Sequence, residues 1–221
     1  MNVLYLHGFA SSAASTKAKF FAERFARVGI TLHCPDFNEP AFETLTITRM
    51  LDQVDVTIAS LDPGPVAVIG SSLGAFVSVH AAARNRRDGR PSARAYVDRL
   101  VLLAPALDFS RTRLHLEEDA VRRWEATDRL DVFHYGRNRI EPLRFAFYED
   151  AARYEAFSVP LEIPVLIFQG TRDVAVDPRV PQEYAATRPN VSVQLLDDDH
   201  QLIGSLEAIW RDVRVFLGVQ R

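Results

Sequence analysis

An open, doubly wound, mostly parallel α/β sheet of about six strands is the fold class this sequence predicts, and three observations predict it. Short apolar runs recur without strict alternation, as in strands buried on both faces. Segments of helical period separate them. The 221-residue chain, 48% hydrophobic and 25% charged, has the size and balance of one globular domain, residues 1–221.

The first strand is "NVLYL", residues 2–6. In "STKAKFFAERFARVG" (15–29), Phe21, Phe25 and Val28 share one stripe, and Gly29 suits the left-handed position that closes a helix. "ITLHC" (30–34) is a weaker strand. Ile47, Met50, Leu51, Val54 and Ile58 recur at helical spacing through 46–60, and "DPGP" turns the chain into the strand "PVAVIG" (65–70). A helix follows at once. "RLVLLA" (99–104), "PVLIFQ" (164–169) and "VSVQLL" (191–196) complete the sheet. Leu202, Leu206, Ile209, Trp210, Val213 and Leu217 form a last stripe that ends at Gly218. The rhythm breaks once, between residues 104 and 164, where the chain is too long for a single crossover helix and rich in charge and aromatic rings. Residues 108–160 are expected to form a helical cap over the carboxyl ends of the strands, where open sheets bind ligands.

A net charge of −3 provides no long-range field to gather nucleic acid or anionic lipid, so a small-molecule partner is expected and nucleic acid is not. No run approaches the ~18 apolar residues of a membrane span, and "MNVLYLHGFASS" has no basic leader. The one cysteine, Cys34, forms no internal disulfide and is expected to be a buried thiol in a reducing compartment, which points to the cytoplasm. The sequence assigns no oligomeric state.

The stretch "GSSLG" (70–74) closes a buried strand and opens a helix. Glycines two residues before and after Ser72 remove side chains that would collide if the chain turned sharply with that serine at the apex. This is the G-x-S-x-G nucleophile elbow. The helix behind it directs its first N–H groups at any negative charge that forms there. A phosphate-binding loop would need a lysine that this stretch lacks. Ser71, at the variable position, is structural.

A serine hydroxyl needs a base, and the base needs an orienting acid. His200 in "LLDDDHQLI" follows the last strand and precedes the last helix, so its ring is placed over the carboxyl edge of the sheet. His33, His80, His115 and His134 are assigned to packing or surface. Two carboxylates follow the strand at 164–169. Asp173, three residues into the loop, is the expected acid, while Asp177 before Pro178 suits a helix cap. Asp197, Asp198 and Asp199 are expected to form a solvated loop. Oxyanion donors are the N–H of Leu73, next after the nucleophile, and that of Phe9 in "HGFASS", a loop that Gly8 lets approach closely and His7 braces.

Taken together, "HGF" after an early strand, "GSSLG" at the elbow, and "GTRD" then "DDDH" in the order Ser, Asp, His resemble the α/β-hydrolase family over essentially the whole chain. "LYLHGFASSAASTKA" and "LLDDDHQLIGSLEAIW" resemble the small YqiA-type esterases more narrowly. The resemblance implies an elbow strand beside the first strand and hydrolysis of carboxylic or thio esters with no cofactor and no metal; the sequence departs from the family in that the usual N-terminal hairpin is expected to be missing. The reading is a serine esterase with Ser72, His200 and Asp173 as its triad, acting on short to medium acyl esters. Trp124, Phe133 and Phe145 of the cap are expected to wall the acyl pocket, with Tyr135 and Phe147 beside them. An amidase, peptidase, thioesterase or acyltransferase would keep the same triad, and a non-enzymatic binding protein would keep only the fold.

Overall fold

The computed structural model describes every residue except 88, 89, 92, 93, 113, 115, 220 and 221, so His115 lies outside the described residues. The chain runs through β1 (Asn2–Leu6), α1 (Thr16–Ala26), β2 (Leu32–His33), α2 (Ile47–Ala59), β3 (Gly64–Ser71) and α3 (Leu73–Arg84). A short antiparallel pair, β4 (Arg86–Arg87) and β5 (Arg90–Pro91), leads into β6 (Ala95–Leu103). Then come α4 (Phe109–Thr112), α5 (Glu118–Thr127), β7 (Leu130–His134), β8 (Arg139–Leu143) and α6 (Ala146–Ala151). The chain finishes through β9 (Val165–Gly170), α7 (Arg179–Ala186), β10 (Val191–Leu196) and α8 (Leu206–Leu217).

Six strands form one parallel sheet in the order β10-β9-β6-β3-β1-β2. The pleat of β1 explains why its run is apolar throughout. Val3 and Tyr5 join the layer of α1 and α8, with Phe21, Phe25, Ile209 and Trp210. Leu4 and Leu6 face the other way, onto Met50, Leu51, Val54, Phe76 and Val79 of α2 and α3. Two apolar layers thus hold the sheet, each fully buried side chain contributing about 1.5–3 kcal/mol. Ser15 caps α1 by accepting from Ala18 N–H (3.3 Å), and Thr46 caps α2 by accepting from Arg49 N–H (3.0 Å). Gly29 and Gly218 take the left-handed positions expected of them, with φ of 73° and 68°.

Two elements differ from the sequence reading. The last helix begins at Leu206 rather than at Leu202, because Leu202 has φ 55° within the turn that follows His200. The insertion is not all helical: β7 and β8 pair as an antiparallel hairpin between α5 and α6. Its strand "LDVFH" alternates outward Asp131 and Phe133 with the inner Leu130, Val132 and His134, and Asn138 at φ 51° closes the turn. The insertion is anchored to α2 by Asp150, whose carboxylate accepts from Thr48 N–H and Thr48 Oγ1, both at 2.7 Å. No helix among the described residues is long and apolar enough to cross a membrane.

Candidate active site

The parallel sheet brings the carboxyl ends of its strands to one edge, and the loops leaving β1, β3, β9 and β10 build the site there. β3 is followed by Ser72, whose backbone is forced to φ 54° and ψ −118° before α3 begins. That left-handed bend is sterically costly for a residue with a Cβ. Both flanking glycines are required by contact. A Cβ on Gly70 would lie 2.3 Å from Ser78 Oγ and 2.6 Å from Ala75 Cα. One on Gly74 would lie 2.1 Å from the carbonyl oxygen of Leu6 and 2.6 Å from that of His7. The second glycine therefore admits the end of β1 against the first turn of α3. Gly74→Ala is expected to destabilise the fold by about 3 kcal/mol or more, measured by denaturant unfolding, since backbone rather than a flexible side chain must move.

β9 and β10 pair through Gly170 and Leu196, which sets the loops of Asp173 and His200 side by side. His200 Nδ1 lies 2.7 Å from Asp173 Oδ2, and His200 Nε2 lies 3.0 Å from Ser72 Oγ. A carboxylate can only accept, so Nδ1 carries the ring proton and Nε2 presents a lone pair to the serine hydroxyl. Asp173 is 6% exposed and fully satisfied: Oδ1 accepts from Ala175 N–H (2.8 Å) and Val176 N–H (2.9 Å), and Oδ2 accepts also from Gln169 Nε2 (2.9 Å). Burial pushes its pKa up, but the hydrogen bonds from His200, Val176 and Gln169 outweigh it and hold the carboxyl below the ordinary range. Asp177 is exposed, accepts from Arg179 N–H at 2.9 Å at the start of α7, and pairs with the Arg179 guanidinium. The residue at the N-cap of α7 is Pro178 rather than the expected Asp177, which stands one place earlier and bonds the first N–H of the helix from there.

Gly8 lets the loop after β1 approach, a Cβ there lying 3.2 Å from both Ser71 O and Ser72 Cβ. His7 braces it: Nε2 accepts from Phe37 N–H and Nδ1 donates to the carbonyl of Gly8, both at 3.0 Å. A cavity of about 770 Å³ contains Ser72 and His200, with Gly8, Phe9, Leu73 and Phe109 in its wall. A second, of about 1000 Å³, adjoins it and shares Phe9, Leu114, Tyr135, Val174 and Ala175.

Of the three rings expected in the pocket, Phe133 lines the second of these two cavities, and Trp124 and Phe145 line neither. Trp124 is 1% exposed, donates from Nε1 to the carbonyl of Leu143 (2.9 Å), and packs edge-on against Phe145. Phe145 in turn stacks on Tyr148. Those rings extend the apolar layer of α2 and α3 into the insertion, Trp124 and Leu143 joining the same buried cluster as Leu4, Leu6 and Phe76 with Phe145 and Tyr148 packed against it. Phe147 is likewise buried, stacked on Phe9. Asp198 is also corrected: it is 9% exposed, not solvated, and accepts from Asp199 N–H at 2.8 Å. His80 is packed between Phe76 and Tyr154, where burial lowers its pKa to about 4.

Lys17 escaped the sequence reading. It is 7% exposed in the wall of the Ser72 cavity, and its ammonium donates to the carbonyl of Gln201, next after His200, at 3.0 Å. Burial lowers its pKa to about 8, opposed by the carboxylates of Asp199, Asp173 and Asp198. The signal was present: position 17 lies one helical step before Phe21 and Phe25 on the buried stripe. No cluster of three metal-ligating side chains occurs among the described residues.

The sequence model of the uncharacterised protein family UPF0227 matches residues 2–216. The chain belongs to the UPF0227 family. Solved structures then show that this UPF0227 chain has the α/β-hydrolase fold. A provisionally named hydrolase of Agrobacterium vitis S4 superposes with a TM-score of 0.84 at 22% identity, covering 99% of this chain and 88% of that one. Mouse alpha/beta hydrolase domain-containing protein 10 gives 0.77 at 18% identity, over 98% and 89%. Est1E from Butyrivibrio proteoclasticus, with ferulic acid bound, gives 0.79 at 21% identity, over 97% and 87%. A comparison with curated protein sequences finds no match.

Proposed function

We propose that this UPF0227 chain is a serine esterase that hydrolyses carboxylic esters of short to medium acyl chain length through an acyl-enzyme. The observation that carries the reading is the hydrogen-bonded chain Ser72–His200–Asp173 at a left-handed elbow. In the first step His200 Nε2 takes the Ser72 proton as Oγ attacks the acyl carbon, and the imidazolium then protonates the departing alcohol. Asp173 fixes the ring tautomer and stabilises the imidazolium. The amides of Phe9 and Leu73 hold the tetrahedral oxyanion, each worth on the order of 3 kcal/mol of barrier. Water activated by the same imidazole then releases the acid. A cavity of about 770 Å³ is of the size that takes a small organic ester. Structural neighbours named as esterases and lipases support the reaction class. We place the chain in the cytoplasm on the strength of its lone unpaired cysteine, the half-buried Cys34.

The test is a panel of p-nitrophenyl esters of graded chain length, run beside acyl-CoA thioesters and the matching anilides. The expected result is highest kcat/KM on the oxygen esters, falling as the chain lengthens beyond medium. A thioester favoured by tenfold or more would move the chain to the thioesterases. No turnover of any member, with no labelling by a fluorophosphonate, would overturn the hydrolase reading.

A further inference from the structure

We propose that the tip of the β7–β8 hairpin sets the position of the loop that carries the Phe9 amide, with Gly136, His134 and Asn38 as positioning residues of the reaction. The proposal rests on the esterase reading, because it concerns one of that reading's two oxyanion donors. The loop needs an external hold. Ala10, directly after Phe9, sits at φ 51°, a left-handed conformation that a residue with a Cβ adopts only under constraint.

Two ties supply the constraint, and they fall on consecutive carbonyls. Gly136 N–H at the hairpin tip donates to Ala10 O at 3.2 Å. The side-chain amide of Asn38 donates to Ser11 O at 2.8 Å. Asn38 is itself held by the hairpin, since its Oδ1 lies 2.8 Å from His134 Nε2. The proton on that bond is assigned by the other ring nitrogen: His134 Nδ1 accepts from Arg137 N–H at 3.1 Å, so Nε2 is the donor. Both side chains are buried, His134 at 0% and Asn38 at 2% exposure, so the chain His134–Asn38–Ser11 has no water to replace its bonds.

The fit at the tip is close. A Cβ on Gly136 would lie 2.9 Å from Ser12 Cβ and 3.0 Å from the carbonyl carbon of Ser11. The segment 36–38 also holds the other side of Phe9, through Phe37 N–H to His7 Nε2. Packing alone would bind the insertion to the body anywhere along its length. Here the bonds converge on the residues next to the oxyanion donor, and Tyr135 and Gly136 of the same tip line the Ser72 cavity. An error of well under 1 Å in a donor's place is enough to lower a rate.

Two variants test this. Asn38→Asp keeps the acceptor for His134 and replaces the amide that donates to Ser11 O and to Asp36 Oδ1 with an oxygen, so both bonds are lost together. Gly136→Ala pushes the tip off the loop from an exposed turn, where the core is not touched. Each is expected to lower kcat on a p-nitrophenyl ester by about tenfold or more with KM within about twofold, as loss of a transition-state contact requires. Affinity for an alkyl trifluoromethyl ketone, whose adduct oxyanion occupies the same hole, should fall in parallel with kcat/KM. Should Asn38→Asp fail to fold, Gly136→Ala decides alone. Folded variants with kcat and ketone affinity equal to the parent's overturn the positioning role while the esterase reading stands. A parent that turns over no ester and takes no fluorophosphonate removes the esterase reading, and the role of the clamp with it.

Discussion

Ser72→Ala is expected to lower kcat for ester hydrolysis by about 10⁴ to 10⁶ and to abolish labelling by a fluorophosphonate, while the folded structure is retained. The size follows from the site: without Oγ, His200 Nε2 has no proton to take, and the rate that remains is what the oxyanion donors and binding give to water. The backbone argument separates loss of chemistry from loss of fold. Alanine keeps the Cβ and so keeps the strain of φ 54°, which leaves stability close to the parent's. Ser72→Gly removes both hydroxyl and strain, and its denaturant midpoint should rise by the equivalent of about 1 kcal/mol at the same loss of activity. Fluorophosphonate labelling that persists in Ser72→Ala would place the nucleophile elsewhere.

The parts of this site that the sequence disclosed are those whose chemistry is written in adjacent residues. The elbow was legible because the two glycines and the serine fall within five positions, each demanded by contact with the next turn or the neighbouring strand. His200 and Asp173 were legible for a different reason: each comes just after a recognisable apolar strand, and parallel strands deliver their ends to one edge. Composition alone misled about the insertion. Rings at Trp124 and Phe145 look the same in a sequence whether they wall a cavity or pack into the core, and here they join the apolar layer that α2 and α3 form on the sheet. The hairpin was missed because its alternation spans only five residues between two helices. Least legible were bonds between distant positions. Asn38 and His134 are ninety-six residues apart, and no local pattern of propensity or period connects them.

Asp173→Asn is expected to reduce kcat by about 10⁴ with the fold intact, and the surrounding hydrogen bonds show why a near-isosteric change does so much. Two backbone donors, Ala175 N–H and Val176 N–H, converge on Oδ1, so the one oxygen of an asparagine is held at that place. Its amide nitrogen then takes the place of Oδ2 and faces two donors, His200 Nδ1–H and Gln169 Nε2. Donor against donor is relieved only if the imidazole gives up its Nδ1 proton and carries it on Nε2 instead. In that tautomer the ring presents a hydrogen to Ser72 rather than a lone pair, and the base is gone. Asp177→Asn makes the control, because that side chain is exposed and bonded to Arg179 at the head of α7. It should lower the thermal midpoint by about 4 °C at most and leave kcat unchanged. Activity of both variants on one p-nitrophenyl ester, beside their melting curves, decides between the two carboxylates. A 10⁴ loss at 177 with full activity at 173 would transfer the orienting role, and would require the loop after β9 to rearrange so that Asp177 reaches the ring.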